Sequence, residues 1–104
     1  MAILGDGRYE FTTELWLHPA PAPWHFVSLP AEVSDDVRAL TDGSRTAFGS
    51  TRVEARIGET PWSTSIFFDR KRECFLLPVK ADVRRREGIG DGDRVKVHLA
   101  LAEA

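Results

Sequence analysis

Apolar and polar residues alternate along three stretches of this 104-residue chain, and this period of two restricts the fold more than any other feature. The stretches are residues 9–17, 51–57 and 94–101. Such alternation places apolar side chains on one face of an extended strand, whereas an amphipathic helix needs a period of about 3.6 residues. The chain is therefore predicted to consist mainly of half-buried β-strands.

Three shorter strands and two short helices complete the predicted secondary structure. Residues 24–29, 62–68 and 74–79 are apolar runs bounded by glycine- or proline-containing turns, which is typical of strands. Residues 30–40 and 81–87 favour helices, the first with Val33, Val37 and Leu40 on its buried face. The alternate prolines of residues 18–23 indicate an extended connector, and residues 42–44 are expected to end the first helix.

The length and the strand content together predict one all-β domain. Residues 1–104 are enough for a single hydrophobic core and leave little room for a second domain. Small all-β domains protect their strand edges by closing into barrels or by stacking sheets. We favour a small barrel of the six predicted strands, with the two helices closing its ends.

The two halves of the chain repeat one pattern. Residues 26–33 lead from a strand through Pro30 into a helix, and a glycine turn precedes the strand at 52–56. Residues 75–83 lead in the same way through Pro78 into a helix, and glycines precede the strand at 94–98. Because each half alone would expose an apolar face, the repeat predicts two paired lobes related by a pseudo-twofold axis.

Composition restricts the compartment and the chemistry. The single cysteine, Cys74, excludes an internal disulfide and suits the reducing cytoplasm, and no apolar run approaches the roughly 20 residues of a membrane helix. The N-terminal residues lack the pattern of a secretory signal. The three histidines and Cys74 are isolated, so we expect no metal site, and the glycines at 88–92 precede a strand, so we expect a turn and no cofactor.

Charge is distributed unevenly along the chain. Residues 1–69 carry five basic and ten acidic side chains, whereas residues 70–104 carry nine basic and six acidic ones. Within the second half, Lys80 and Arg84 lie four residues apart, which places them on one helix face, and Arg85 adjoins them. Guanidinium groups suit phosphates and carboxylates, and Trp24 and Trp62 would supply apolar walls. These five residues are the candidate ligand-binding site; solvated ion pairs and core packing are the alternatives.

Five segments of the chain also resemble a known family. They are residues 24–30, 52–57, 62–67, 77–85 and 90–97, and the resemblance extends over about residues 9–101. The chain resembles the family called domain of unknown function 1905. The resemblance implies a six-stranded barrel of the double-split type and a bacterial or archaeal source, but no activity.

Three classes of function remain open. The basic second half and the tryptophans favour a non-catalytic binding module for a small anionic ligand or a protein partner, and we expect a monomer or weak homodimer. Residues 78–97 also resemble the swapped-hairpin barrels of bacterial transition-state regulators and antitoxins, which bind DNA, although the net charge of −2 disfavours a nucleic-acid partner. An enzyme with titratable groups brought together only by folding is the third alternative.

Overall fold

The computed structural model of the protein describes residues 1–18, 23–41 and 50–102. Its strands are β1 (Ala2–Gly5), β2 (Arg8–His18), β3 (Trp24–Ser28), β4 (Ser50–Ile57), β5 (Thr60–Asp69), β6 (Cys74–Pro78) and β7 (Arg94–Leu101). Its helices are α1 (Ala31–Thr41) and α2 (Ala81–Glu87). Most of the predicted connector at 18–23 and all of the predicted helix end at 42–44 lie outside the described residues.

Six of these strands form a closed antiparallel barrel. Their order is β2-β3-β6-β5-β4-β7, and pairing of β7 with β2 closes the circle. The two longest strands are shared: β2 pairs with β7 through residues 8–14 and with β3 through residues 15–18, and β5 pairs with β4 through residues 60–67 and with β6 through residues 67–69. The predicted fold, a six-stranded barrel of the double-split type with two short helices, is confirmed.

The internal repeat is visible in the pairing of the strands. Exchanging β2, β3 and β4 with β5, β6 and β7 leaves every pairing in the barrel unchanged. Val27 of β3 faces Leu77 of β6, which marks the pseudo-twofold axis. On either side of this pair, the Leu29 amide donates to the Phe75 carbonyl and the Val79 amide donates to the His25 carbonyl, both at 2.9 Å. Leu29 therefore corresponds to Val79, and His25 corresponds to Phe75. The prediction that Pro30 and Pro78 occupy equivalent places in the repeat is wrong in register, because the same pairing matches Pro30 with Lys80.

Both helices pack valines into the main core. Val33 and Val37 of α1 and Val83 of α2 join inward-facing residues from all six barrel strands. The predicted buried face of α1 is wrong at one position: Leu40 is 56% exposed, and Thr41 is buried instead. Val33, Val37 and Thr41 are spaced by four, so the buried stripe follows the helix rows that pack on β6. Neither described helix has the length and apolarity to cross a membrane.

One strand lies outside the barrel and was not predicted. β1 pairs with residues 8–10 of β2, on the edge of β2 that β3 occupies further along. The intervening turn places Gly5, Asp6 and Gly7 at positive φ, and Gly7 is buried against Leu101. β1 has four residues, and Ile3 and Leu4 are consecutive and both exposed, so it lacks the period of two that reveals the other strands.

Candidate functional site

A cleft opens between the start of β3 and the start of α2. It has a volume of about 230 Å³, and we call it the α2 cleft. Its lining residues are Pro23, Trp24, His25, Pro78, Val79, Lys80, Ala81 and Arg84. Pro78 ends β6, and the chain turns from there directly into α2, so Lys80 and Arg84 are presented one helical turn apart. The fold therefore brings together three of the five predicted site residues: Trp24, Lys80 and Arg84.

The two cations of the α2 cleft are not neutralised by carboxylates. Lys80 Nζ donates to the Ser63 carbonyl at 3.3 Å, and Arg84 Nε donates to the Val79 carbonyl at 3.3 Å. Among the described residues, no Asp or Glu forms an ion pair with either side chain. A guanidinium has five N–H donors, so most of those of Arg84 remain available to a ligand.

The equivalent place in the first lobe is closed. Ser34 of α1 corresponds to Arg84, and Pro30 corresponds to Lys80: the Ser34 amide donates to the Pro30 carbonyl as the Arg84 amide donates to the Lys80 carbonyl. The Ser34 hydroxyl is buried, donates to the Leu29 carbonyl and accepts from the Phe75 amide. The lobe of α1 thus has the buried, hydrogen-bonded hydroxyl of Ser34 at the position where the lobe of α2 has the charged side chain of Arg84 in an open cleft.

The other two predicted site residues lie elsewhere. Trp62 belongs to the main core, and its indole Nε1 donates to the Pro78 carbonyl at 3.3 Å, so it lies behind the wall of the cleft. Arg85 is exposed and donates to Asp82 at 2.6 Å, on a helix face that does not line the cleft. Trp62 therefore follows the alternative of core packing, and Arg85 follows the alternative of a solvated ion pair.

His25 is a lining residue that the sequence analysis did not single out. Burial lowers the pKa of His25 below its ordinary value of 6.5, the positive charge of Arg84 lowers it further, and Asp91 acts in the opposite direction. Arg84 and His25 therefore line the same cleft, and the charge of the guanidinium acts on the imidazole. The sequence repeat does not reveal His25, because its match with the buried Phe75 follows only from the strand pairing in the structure.

Replacing Arg84 with methionine is expected to raise the pKa of His25 towards 6.5, because the variant removes a positive charge and keeps an apolar chain of similar length. Burial remains, so the pKa stays below 6.5. Because the pKa of His25 is lower in the folded protein than in the unfolded chain, the unfolded chain binds the proton more readily. The free energy of unfolding therefore falls as pH drops below about 6.5. NMR titration of the imidazole measures the change. R85M is the control, and an unchanged His25 pKa in R84M would contradict the geometry.

A larger groove of about 320 Å³ lies across β2, β7 and β4, and its charged or titratable lining residues include Arg8, Glu54, Arg56 and His98. Glu10 lies 3.2 Å from Lys96 Nζ and 3.5 Å from His98 Nδ1. The hydrogen bond with Lys96 is the main cause that lowers the pKa of the Glu10 carboxyl. Arg56, on the same face, donates to the Gly58 carbonyl. Of the basic lining residues, Arg56 and His98 therefore have contacts within the protein.

The remaining chemically interesting side chains have structural contacts. Cys74 is buried in the second, smaller apolar cluster, and burial raises the pKa of its thiol, which disfavours the reactive thiolate. Asp91 accepts from the Leu17 amide, and Asp93 accepts from the Gly90 amide within the turn before β7. Across residues 1–18, 23–41 and 50–102, no three His, Cys, Asp or Glu side chains cluster as metal ligands.

The fold and the cleft define a class: small closed β-barrels of two lobes joined in one chain, with an open cationic cleft on the second lobe. The family model for a domain of unknown function, DUF1905, matches residues 11–99. The chain belongs to this family, as its sequence resemblance indicated. A comparison with curated proteins found no match.

Proposed function

We propose that the protein is a non-catalytic binding module that holds a small anion in the α2 cleft. The observation that carries the proposal is the difference between the lobes. The same backbone positions hold Pro30 and a buried Ser34 in one lobe and the cations Lys80 and Arg84, which form no ion pair with a described carboxylate, in the other.

The surroundings of the two cations favour an anion over a neutral ligand. Arg84 is half-buried, and the apolar side chains of Val79, Ala81 and Pro78 also line the cleft. Charge-assisted hydrogen bonds to phosphate or carboxylate gain strength where water is partly excluded. The neutral form of His25 also supplies a hydrogen-bond donor or acceptor on the opposite wall.

Four of the other seven basic side chains in residues 70–104 form ion pairs with carboxylates. Arg72 pairs with Asp69 at 2.8 Å, and both Arg85 and Arg86 pair with Asp82. These pairs interrupt the positive surface that a nucleic-acid backbone would require. Lys80 and Arg84, by contrast, lie together in one cleft, which fits a small ligand better than a long polyanion.

Inorganic phosphate is expected to bind the wild-type protein saturably and to shift the NMR resonances of Lys80, Arg84 and His25. Replacing Lys80 or Arg84 with alanine should weaken this binding at least about tenfold, the range typical of a lost hydrogen bond to a charged group. Titration at constant ionic strength, with chloride as the balancing anion, measures both effects.

The matched control is the pair R85A and R86A. These side chains lie on the same short helix and carry the same charge, but they pair with Asp82. We expect them to leave phosphate affinity within about twofold, since exposed pairs contribute little. Equal weakening by all four variants, or an absence of saturable binding by the wild-type protein, would reject the α2 cleft as an anion site.

A further inference from the structure

On the basis of the anion site proposed above, we propose that the natural ligand carries a planar aromatic group joined to its phosphate, as a nucleoside monophosphate does. The aromatic group stacks on the exposed face of Trp24 while Lys80 and Arg84 hold the phosphate. The juxtaposition in one cleft of an exposed indole with two cations that no carboxylate in residues 1–18, 23–41 and 50–102 pairs with carries the proposal.

Trp24 is exposed where its structural counterpart is not. The indole is 55% exposed, whereas Cys74, the corresponding first residue of β6, is 8% exposed. Exposing the largest apolar side chain at this position costs hydrophobic free energy in the absence of a ligand. A ligand that covers the ring recovers that free energy.

The ring of Trp24 is held in place by other aromatic side chains. It stacks nearly parallel on Phe26, with centroids 6.2 Å apart and an interplanar angle of 11°. Phe26 is in turn fixed by Phe67, edge-on at 5.7 Å, and by Trp16 at 5.3 Å. One indole face is thus occupied and the ring orientation is set, so stacking on the other face requires little further ordering.

The size of the cleft fits more than a phosphate alone. Its volume of about 230 Å³ equals that of several water molecules at roughly 30 Å³ each. Pro23 and Pro78 form stiff apolar parts of the wall beside Trp24. If the aromatic ring of the ligand lies against these surfaces, its apolar atoms contact apolar walls, and the negative phosphate contacts the positive Arg84.

The test compares four probes by calorimetry: adenosine monophosphate, ribose 5-phosphate, inorganic phosphate and adenosine. We expect the monophosphate to bind about tenfold more tightly than ribose 5-phosphate, in the range of base–tryptophan stacking. W24L should abolish this difference, and W24F should keep most of it. The Trp24 indole N–H resonance should shift with the monophosphate, and the unfolding midpoint of each variant checks that it folds.

The outcomes separate this proposal from the anion site. Equal affinities for adenosine monophosphate and ribose 5-phosphate would overturn the aromatic ligand and leave the anion site standing. Absence of binding by all phosphates would overturn both. Tighter binding of a short single-stranded oligonucleotide than of the monophosphate, with a steep salt dependence, would replace the free nucleotide with a nucleic acid. Adenosine binding as tightly as the monophosphate would show that the phosphate has no role.

Discussion

Replacing Phe75 with alanine is expected to lower the free energy of unfolding by about 3–5 kcal/mol, the range for deleting a buried phenyl ring. Phe75 lies on β6, whose five residues are all buried, and its own exposure is 0%. The ring packs edge-on against Phe68 at 5.3 Å, so its removal leaves a cavity between β6 and β5. Urea denaturation followed by circular dichroism measures the loss.

The matched control is the same backbone position in the other lobe. His25 corresponds to Phe75, and it lines the open α2 cleft. We expect H25A to cost about 1 kcal/mol or less, as for a partly exposed side chain. If F75A is too unstable to fold, F75L supplies a smaller deletion for comparison. Similar decreases in the free energy of unfolding for F75A and H25A would contradict the assignment of Phe75 to the core and His25 to a cleft.

Replacing Gly58 with alanine is expected to cost about 2.5–5 kcal/mol, the sum of two effects. Gly58 has a φ of 57°, in the left-handed region, where a side chain costs roughly 1–2 kcal/mol. A Cβ atom there would also collide with the carboxylate of Glu87. That carboxylate accepts a hydrogen bond at 2.6 Å from the buried Thr60 hydroxyl, and losing a bond to a charged group adds about 1.5–3 kcal/mol.

Gly88 separates the two effects. It has a φ of 65°, and a Cβ atom at this position meets nothing within 4 Å, so G88A should cost only the backbone term of roughly 1–2 kcal/mol. In an E87A background the collision is absent, and G58A should then cost no more than G88A. The same urea titration applies. A cost of G58A that does not change between the two backgrounds would show that Glu87 does not pack over the turn.

The sequence was sufficient to predict the barrel because its strands carry a strong pattern. In β7, inward Val95, Val97 and Leu99 alternate with more exposed residues, and β4 does the same. The order of strand, helix and glycine turn in the repeat was also readable from residue types with fixed backbone preferences, but its register was not, because Pro30 corresponds to Lys80 and not to Pro78. β1 was missed because pairing with β2, and no pattern of its own, makes it a strand.

The site was only partly predictable, since exposure depends on neighbours that sequence does not identify. Trp24 and Trp62 both open apolar runs, but Trp62 points into the main core while Trp24 lies on the cleft. Arg84 and Arg85 are adjacent, and only tertiary packing shows that Arg84 lines the cleft while Arg85 pairs with Asp82. His25 became apparent only through the alignment of β3 with β6 across the pseudo-twofold axis.

The joining of both lobes in one polypeptide has a consequence for how such a barrel can specialise. In a homodimer of half-length chains, every substitution would occur in both subunits. A charged residue introduced to bind a ligand would therefore also occupy the position related by the twofold axis. Covalent linkage removes that obligation: one copy of the scaffold is free to maximise packing while the other tolerates exposed aromatic and charged groups. Here the buried Ser34 of α1 and the cleft-lining Arg84 of α2 occupy equivalent positions, and neither residue restricts the choice of the other.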